Sequence, residues 1–285
     1  MPPSIPRAGI SALSCLAFAA AFSATAFAEP GLGYEDTPII PGTQWHVHDG
    51  LRPQPRIVTP GATFSDLAPP PSDAVVLFDG KDLSQWESLD GHEPSWKIVD
   101  GVLEVVPANG QHHLKTKTRF PDFQLHVEFA TPAEVKGDGQ YRGNSGILIN
   151  GMYEVQILDS FNNPTYPDGQ AGALYGQTPP LVNASKPPGA WQTYDIAFES
   201  PRWDAAGNLV TKAVVTVIQN GILVQNHREF FGSTDGINGI PHKSLGAYHA
   251  PHPPEVVIEL QEHKNPVRFR NIWIRPIGAY DLPGK

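Results

Sequence analysis

The chain has 285 residues, 40% of them apolar, with 30 prolines and 27 glycines, a composition that favours many turns and few long helices and stops short of disorder. Its 29 acidic and 20 basic residues give a formal charge of −9, which argues against nucleic acid and against an anionic membrane surface as partners and leaves neutral ligands as the better fit. The one cysteine, Cys15, lies in the leader, so disulfides, thiolate metal sites and cysteine nucleophiles are excluded from whatever follows it.

The leader itself reads as a secretory signal over residues 1–28. Arg7 supplies charge, Ile10 to Phe27 is apolar and rich in small residues, and Ala26-Phe27-Ala28 stands before Glu29. Cleavage after Ala28 would send the protein to the periplasm or the medium with no membrane span left in it. Residues 29–72 form a Pro-rich arm without a sustained apolar period, in which Trp45, His46, His48 and Asp49 are unusual for a spacer.

From residue 73 to 285 the pattern is one β domain. Phe123, Leu125, Val127 and Phe129 alternate with Gln124, His126 and Glu128; Tyr153, Val155 and Ile157 alternate with Glu154 and Gln156; Gln192, Tyr194, Ile196 and Phe198 repeat the period. Asn220-Gly221 between two apolar runs is a hairpin signal. Val256, Ile258 and Leu260 alternate with Glu259, Gln261 and His263, and a last strand is expected over residues 267–277. Many strands with one apolar face and no helical period predict an all-β fold, two antiparallel sheets packed face to face as a sandwich or jelly roll.

If the apolar sets face the core, Glu154 and Gln156 share a sheet face, as do Glu259, Gln261 and His263. Carboxylates, amides and an imidazole on one face can bind sugar hydroxyls and move protons, although a solvated sheet face would look the same. Arg142-Gly143-Asn144-Ser145-Gly146 is a Gly-rich turn that delivers Arg142 and Asn144 to the start of a strand. Asp159 is either a strand-end acid or a turn former.

A set of motifs then makes the chain recognisable: Leu77-Phe78-Asp79-Gly80-Lys81, Trp96 with Asp100-Gly101-Val102-Leu103, Arg142-Gly143-Asn144-Ser145-Gly146-Ile147, Tyr153-Glu154-Val155-Gln156-Ile157-Leu158-Asp159, Gly172-Ala173-Leu174-Tyr175-Gly176, Lys186-Pro187-Pro188-Gly189-Ala190-Trp191, and Leu260-Gln261-Glu262-His263 before Val267-Arg268-Phe269. In this order they resemble the 3-keto-disaccharide hydrolase domain family. The resemblance implies a concanavalin A-like lectin/glucanase jelly roll and cleavage of glycosides whose C3 hydroxyl has been oxidised to a ketone. Ala190 departs from the pattern, standing where glutamate is commoner.

A 3-keto group acidifies the C2 proton, so a base can remove it and the C1 substituent can leave by elimination, with water added afterwards. Glu154 or His263 is the candidate base and acid, Arg142 with Asn144 or a bound metal the enolate stabiliser, and Gln156, Asp159, Trp191, Gln261 and Glu259 candidate sugar contacts. Eleven histidines leave room for a divalent metal, with His46 and His48 the candidate ligands and no third ligand indicated locally. Two other readings stay open: a non-catalytic carbohydrate-binding module, and an ordinary glycosidase with two carboxylates such as Glu154 with Glu259 or Asp159.

Overall fold

The structure is a computed structural model that describes residues 32–107, 112–234 and 243–278, so the leader and Cys15 lie outside it. In chain order its strands are β1 (Arg56–Ile57), β2 (Val75–Phe78), β3 (Trp86–Ser88), β4 (Lys97–Val99), β5 (Val102–Glu104), β6 (Leu114–Thr116), β7 (Phe123–Ala130), β8 (Ser145–Ile149) and β9 (Tyr153–Ile157). There follow β10 (Val182–Asn183), β11 (Gln192–Glu199), β12 (Arg202–Trp203), β13 (Leu209–Thr211), β14 (Val214–Gln219), β15 (Ile222–Glu229), β16 (Ile258–Leu260) and β17 (Arg268–Pro276). The helical elements among the described residues are two single 3₁₀ turns, Gly139–Tyr141 and Pro167–Gly169, and none is long and apolar enough to cross a membrane.

Two antiparallel sheets carry the fold, as the alternation requires. One has eight strands in the order β15-β14-β11-β7-β17-β5-β4, with β2 also paired to β17; the other runs β3-β6-β16-β8-β9. Between them lies a single core in which Phe123, Leu125, Val127, Tyr194, Phe198 and Phe269 from the first sheet meet Ile147, Tyr153, Val155 and Leu260 from the second. Tyr153 and Phe198 pack across the gap with ring centroids 5.8 Å apart, and the Tyr194 hydroxyl donates to the carbonyl of Gln156 at 2.7 Å. The Asn220-Gly221 pair closes the β14–β15 hairpin with φ of 52° and 82°, the left-handed values that this two-residue turn demands.

The arm is folded onto the sandwich. Val47 and His48 have no exposed surface, and β1 pairs in parallel with β10. Further along, residues 64–68 lie on the outer face of the eight-stranded sheet, over a buried set of charges. There Glu128 accepts from Arg270 Nε at 2.7 Å, from Asn271 Nδ2 at 2.8 Å and from the backbone N–H of Leu67, while His126 Nδ1 bonds Asp195 at 2.8 Å. Asn271 reaches this site because β17 bulges between Arg270 and Trp273, where Asn271 takes a φ of 45°.

Candidate active site

Strand register aligns the polar residues of the five-stranded sheet. Glu87 pairs with Lys115, Lys115 with Glu259, Glu259 with Leu148, and Leu148 with Glu154, one row across all five strands. One step along, Gly146 pairs with Gln156 and its carbonyl accepts from the N–H of Gln261. Alternation therefore puts Glu154, Gln156, Glu259 and Gln261 on the outer face of one sheet. That face is not open to water.

Glu154, Gln156 and Glu259 are 2%, 1% and 7% exposed. Residues 172–175 continue the sheet beyond β9, through Gly172 N–H to Gln156 O and Gln156 N–H to Ala173 O, both 3.0 Å. The Gln156 amide donates to Gln140 Oε1 at 3.1 Å and to Gly169 O at 3.3 Å, so the two 3₁₀ turns cap it. Gly146 leaves the space into which the Glu154 carboxylate folds back over the sheet. Burial raises the pKa of Glu259 to about 7, with Lys115 opposing the shift.

Open space lies instead at the strand ends. β6 and β8 begin, and β9 and β16 end, at one end of the sheet, and their loops enclose a cavity of about 740 Å³. Its wall includes His113, Arg142, Asp159, Gln261 and His263, together with the segment 134–137. A second cavity of about 630 Å³ adjoins it, lined by Tyr34, Asn144, Tyr166 and Tyr175 among others. Tyr141 and His263 line both, so the two spaces are halves of one groove.

The Gly-rich turn builds the corner of the larger cavity. Gly143 has φ of 57° and its N–H donates to Asn265 Oδ1 at 3.0 Å. Arg142 Nε then donates to Asp159 Oδ2 at 2.6 Å, and its Nη atoms donate to the carbonyls of Phe161 and Asn162. Two of the five guanidinium hydrogens make no hydrogen bond among the described residues. Asp159 is turn former and ion-pair partner together, since its Oδ1 accepts from the N–H of Phe161 at 3.2 Å. Burial pushes its pKa up, against the pull of Arg142.

The loop after β16 holds His263 by a second clamp. Lys264 takes a φ of 60°, and Asn265 Nδ2 donates to the His263 carbonyl at 2.8 Å. His263 is exposed, yet the protein packed on one side of its ring lowers its pKa below the ordinary histidine value. His113 is buried, and that burial, with His263 nearby, takes its pKa to about 4. Its Nδ1 and the Oε1 of Gln261 are buried with no protein partner among the described residues.

The structure thus brings Arg142, Asp159, Gln261 and His263 to one cavity and Asn144 to its neighbour. Glu154, Gln156 and Glu259 lie behind them, on the same sheet but under cover. Trp191 is elsewhere: its ring packs under the guanidinium of Arg270 at 4.0 Å, and Arg270 serves the charged set on the other sheet. His46 and His48 diverge, because His48 has a φ of 58° instead of strand geometry. His46 Nδ1 bonds the Thr37 carbonyl, whereas His48 bonds Asp168 at 3.3 Å. Among the described residues no group of three His, Cys, Asp or Glu side chains is arranged to hold a metal ion. Among the eleven histidines, His113 precedes Leu114, the partner of Leu260, and so belongs beside Gln261, a neighbour that its local sequence does not reveal; nothing local singles out Tyr141.

The description 3-keto-alpha-glucoside-1,2-lyase-like domain fits a family model that matches residues 73–275. A crystal structure of a candidate glycosyl hydrolase from Parabacteroides distasonis ATCC 8503 is 46% identical, covering 79% of this chain and 93% of that one with a TM-score of 0.68. A second candidate glycosyl hydrolase from the same organism is 18% identical over 72% of this chain and 94% of that one, with a TM-score of 0.51, a likeness of fold. No curated protein matches. With the whole sandwich covered by that model, the chain belongs to the 3-keto-alpha-glucoside-1,2-lyase-like domain family.

Proposed function

We propose that the protein is an exported enzyme that cleaves 3-keto-glycosides by elimination followed by hydration. The observation that carries this reading is the position of His263 at the waist of a groove, beside Arg142 and Gln261. Family membership and the glycosyl hydrolase relative support a glycoside as substrate.

In this reading the oxidised ring occupies the larger cavity. His263 takes the proton from C2, and the C–H electron pair moves into an enolate whose charge rests on the C3 oxygen. The two spare N–H groups of Arg142 and the Gln261 amide are the donors for that oxygen. Expulsion of the C1 substituent follows, its oxygen taking a proton from water in the open groove. The hydroxide so formed adds to C1 while His263, its ring proton exchanged with solvent in the open groove, gives a proton to C2, and the sum is hydrolysis. Asp159 holds the Arg142 guanidinium in place and touches no reacting atom.

A two-carboxylate glycosidase would need two carboxyl groups flanking the bond. Glu154 and Glu259 are two strands apart and buried, and Asp159 is taken up by Arg142, so this reading has less support. Incubation with a glycoside and with its 3-keto derivative in D₂O tests the proposal. Cleavage of the keto compound with deuterium entering at C2 is expected. Cleavage of the unoxidised glycoside alone refutes it.

A further inference from the structure

A base at C2 is half of an elimination; the departing oxygen also needs a proton. Among the described titratable side chains that line the groove, His263 and Tyr141 alone border both of its halves. The others in the larger cavity are engaged or covered: Asp159 is held by Arg142, His113 is buried, Glu134 pairs with Lys136 at 3.1 Å, and Glu262 accepts from the N–H of Lys264 at 2.6 Å. Tyr141 is 77% exposed, and its hydroxyl makes no hydrogen bond among the described residues.

This free phenol stands on a rigid base. It ends the Gly139–Tyr141 turn, in which the Gly139 N–H donates to Asn163 Oδ1 at 2.8 Å and the Gly139 carbonyl accepts from Asn163 Nδ2 at 3.0 Å. Gln140 ties the turn down again, through its amide to Thr165 Oγ1 and to Gly169 O, each at 3.0 Å, and through its carbonyl to Asn144 Nδ2 at 2.8 Å. The Tyr141 N–H donates to the Asp138 carbonyl at 2.9 Å, and Gly137, with φ of 76°, passes so close that a Cβ on it would stand 3.2 Å from that of Tyr141. The residue that follows is Arg142, the proposed donor to the C3 oxygen, so two consecutive residues face the same cavity.

We infer that Tyr141 is the acid of the reaction, its phenol giving the leaving oxygen a proton as the C1–O bond breaks. The assignment rests on the proposed function for the step at C2. With the ring in the larger cavity and C2 at His263, C1 is the neighbouring carbon and its oxygen comes to the waist, where Tyr141 stands. The electron pair of the enolate forms the C1–C2 double bond, the C1–O pair leaves on the oxygen, and the phenol proton turns that oxygen into an alcohol. The phenolate left behind takes a proton from water, and the hydroxide released is the one that adds to C1. A phenol keeps its proton at neutral pH yet gives it up more readily than an alcohol does, which suits a group that must donate and then be recharged.

Tyr141→Phe removes one exposed hydroxyl without a partner, so the variant should unfold in urea as wild type does. Two 3-keto-α-glucosides test it in the full mature chain: the methyl compound, whose methoxide needs a proton to leave, and the 4-nitrophenyl compound, whose nitrophenolate does not. Tyr141→Phe should lower kcat about 10²–10⁴-fold on the methyl compound and less than about threefold on the nitrophenyl one. In D₂O the variant should still place deuterium at C2 of the unreacted methyl compound, because His263 works and only expulsion is blocked, whereas His263→Ala should stop exchange and cleavage together. An equal loss on both compounds, or none on either, overturns the assignment, as does a Tyr141→Phe protein that loses the C2 exchange. If the unoxidised glycosides alone are cleaved, the proposed function fails, and the acid stands or falls by the same contrast between methyl and nitrophenyl compounds read on them. Cleavage of neither form overturns both.

Discussion

Replacing Glu259 by Gln should stabilise the protein in alkali and do little in acid. Glu259 is 7% exposed, makes no hydrogen bond from its side chain among the described residues, and faces Lys115 across the strand pair. Burial holds its pKa at about 7 against an ordinary 4.5. Below pH 4.5 the folded and unfolded chains both keep the proton, and the residue carries no charging penalty. Between 4.5 and 7 the folded chain alone keeps it, so stability falls as pH rises; above 7 the penalty is complete. At about 1.4 kcal/mol per pH unit this amounts to about 3 kcal/mol. Glutamine has no proton to lose, so the variant should gain about 3 kcal/mol on wild type between pH 4.5 and 8.5, or about 6–12 °C in Tm for a domain of this size. Urea unfolding of both proteins at the two pH values measures the difference, and the fixed cost of burying an amide cancels in the comparison. A gap that does not widen with pH would refute the burial argument.

Other outcomes follow from the same geometry. His263→Ala should lower kcat on a 3-keto-glycoside by about 10²–10⁴-fold, and the wild-type kcat/KM profile should pass its half-maximum below the ordinary histidine pKa, because burial lowers that of the base; progress curves across pH 4–8 check both. Arg142→Ala leaves Asp159 buried beside no cation and should cost about 3–5 kcal/mol in urea unfolding, with Asp159→Asn added to it restoring much of the loss. Gly143→Ala places a Cβ 3.0 Å from both Asp159 Cβ and Thr131 Cβ at a φ of 57°, and should lower stability by about 1–3 kcal/mol with a matching loss of activity. For Glu128, burial raises the pKa but bonds from His126, Asn271 and Arg270 outweigh it and hold it at about 2. Its stabilisation is present above the ordinary 4.5 and is lost as pH falls through 2, so about 3 kcal/mol should disappear over that interval and Glu128→Gln should abolish the dependence, read from unfolding midpoints in acid.

The sheets were legible because their signal is local. Tyr153-Glu154-Val155-Gln156-Ile157 alternates as a strand does, and the structure puts its apolar members in the core and its polar ones on the outer face. The Gly-rich turn ahead of Ser145 was legible for the same reason. Long-range facts were not. Nothing near Gln156 in sequence indicates that Gln140 and Gly169 cap it, and so a stripe that reads as an open polar face is buried while the open groove moves to the strand ends. His113 could be placed beside Gln261 only once the pairing of Leu114 with Leu260 was known, across about 150 residues of chain. Trp191 beside Pro187-Pro188-Gly189 reads as a rim residue. It instead stacks on Arg270, whose own position depends on the β17 bulge.

The arm is tied down at two places, by His48 to Asp168 in the turn that caps Gln156 and by Leu67 to Glu128 on the eight-stranded sheet. A polypeptide begun at residue 73, where the recognisable domain starts, would retain every strand of both sheets and still be a different molecule. Water would reach the carboxylate of Glu128 and the ring of His126 on the eight-stranded sheet, and Asp168 would lose its histidine. The strap of residues 32–72 belongs to the folding unit, and a shortened protein that is to keep this fold must keep it.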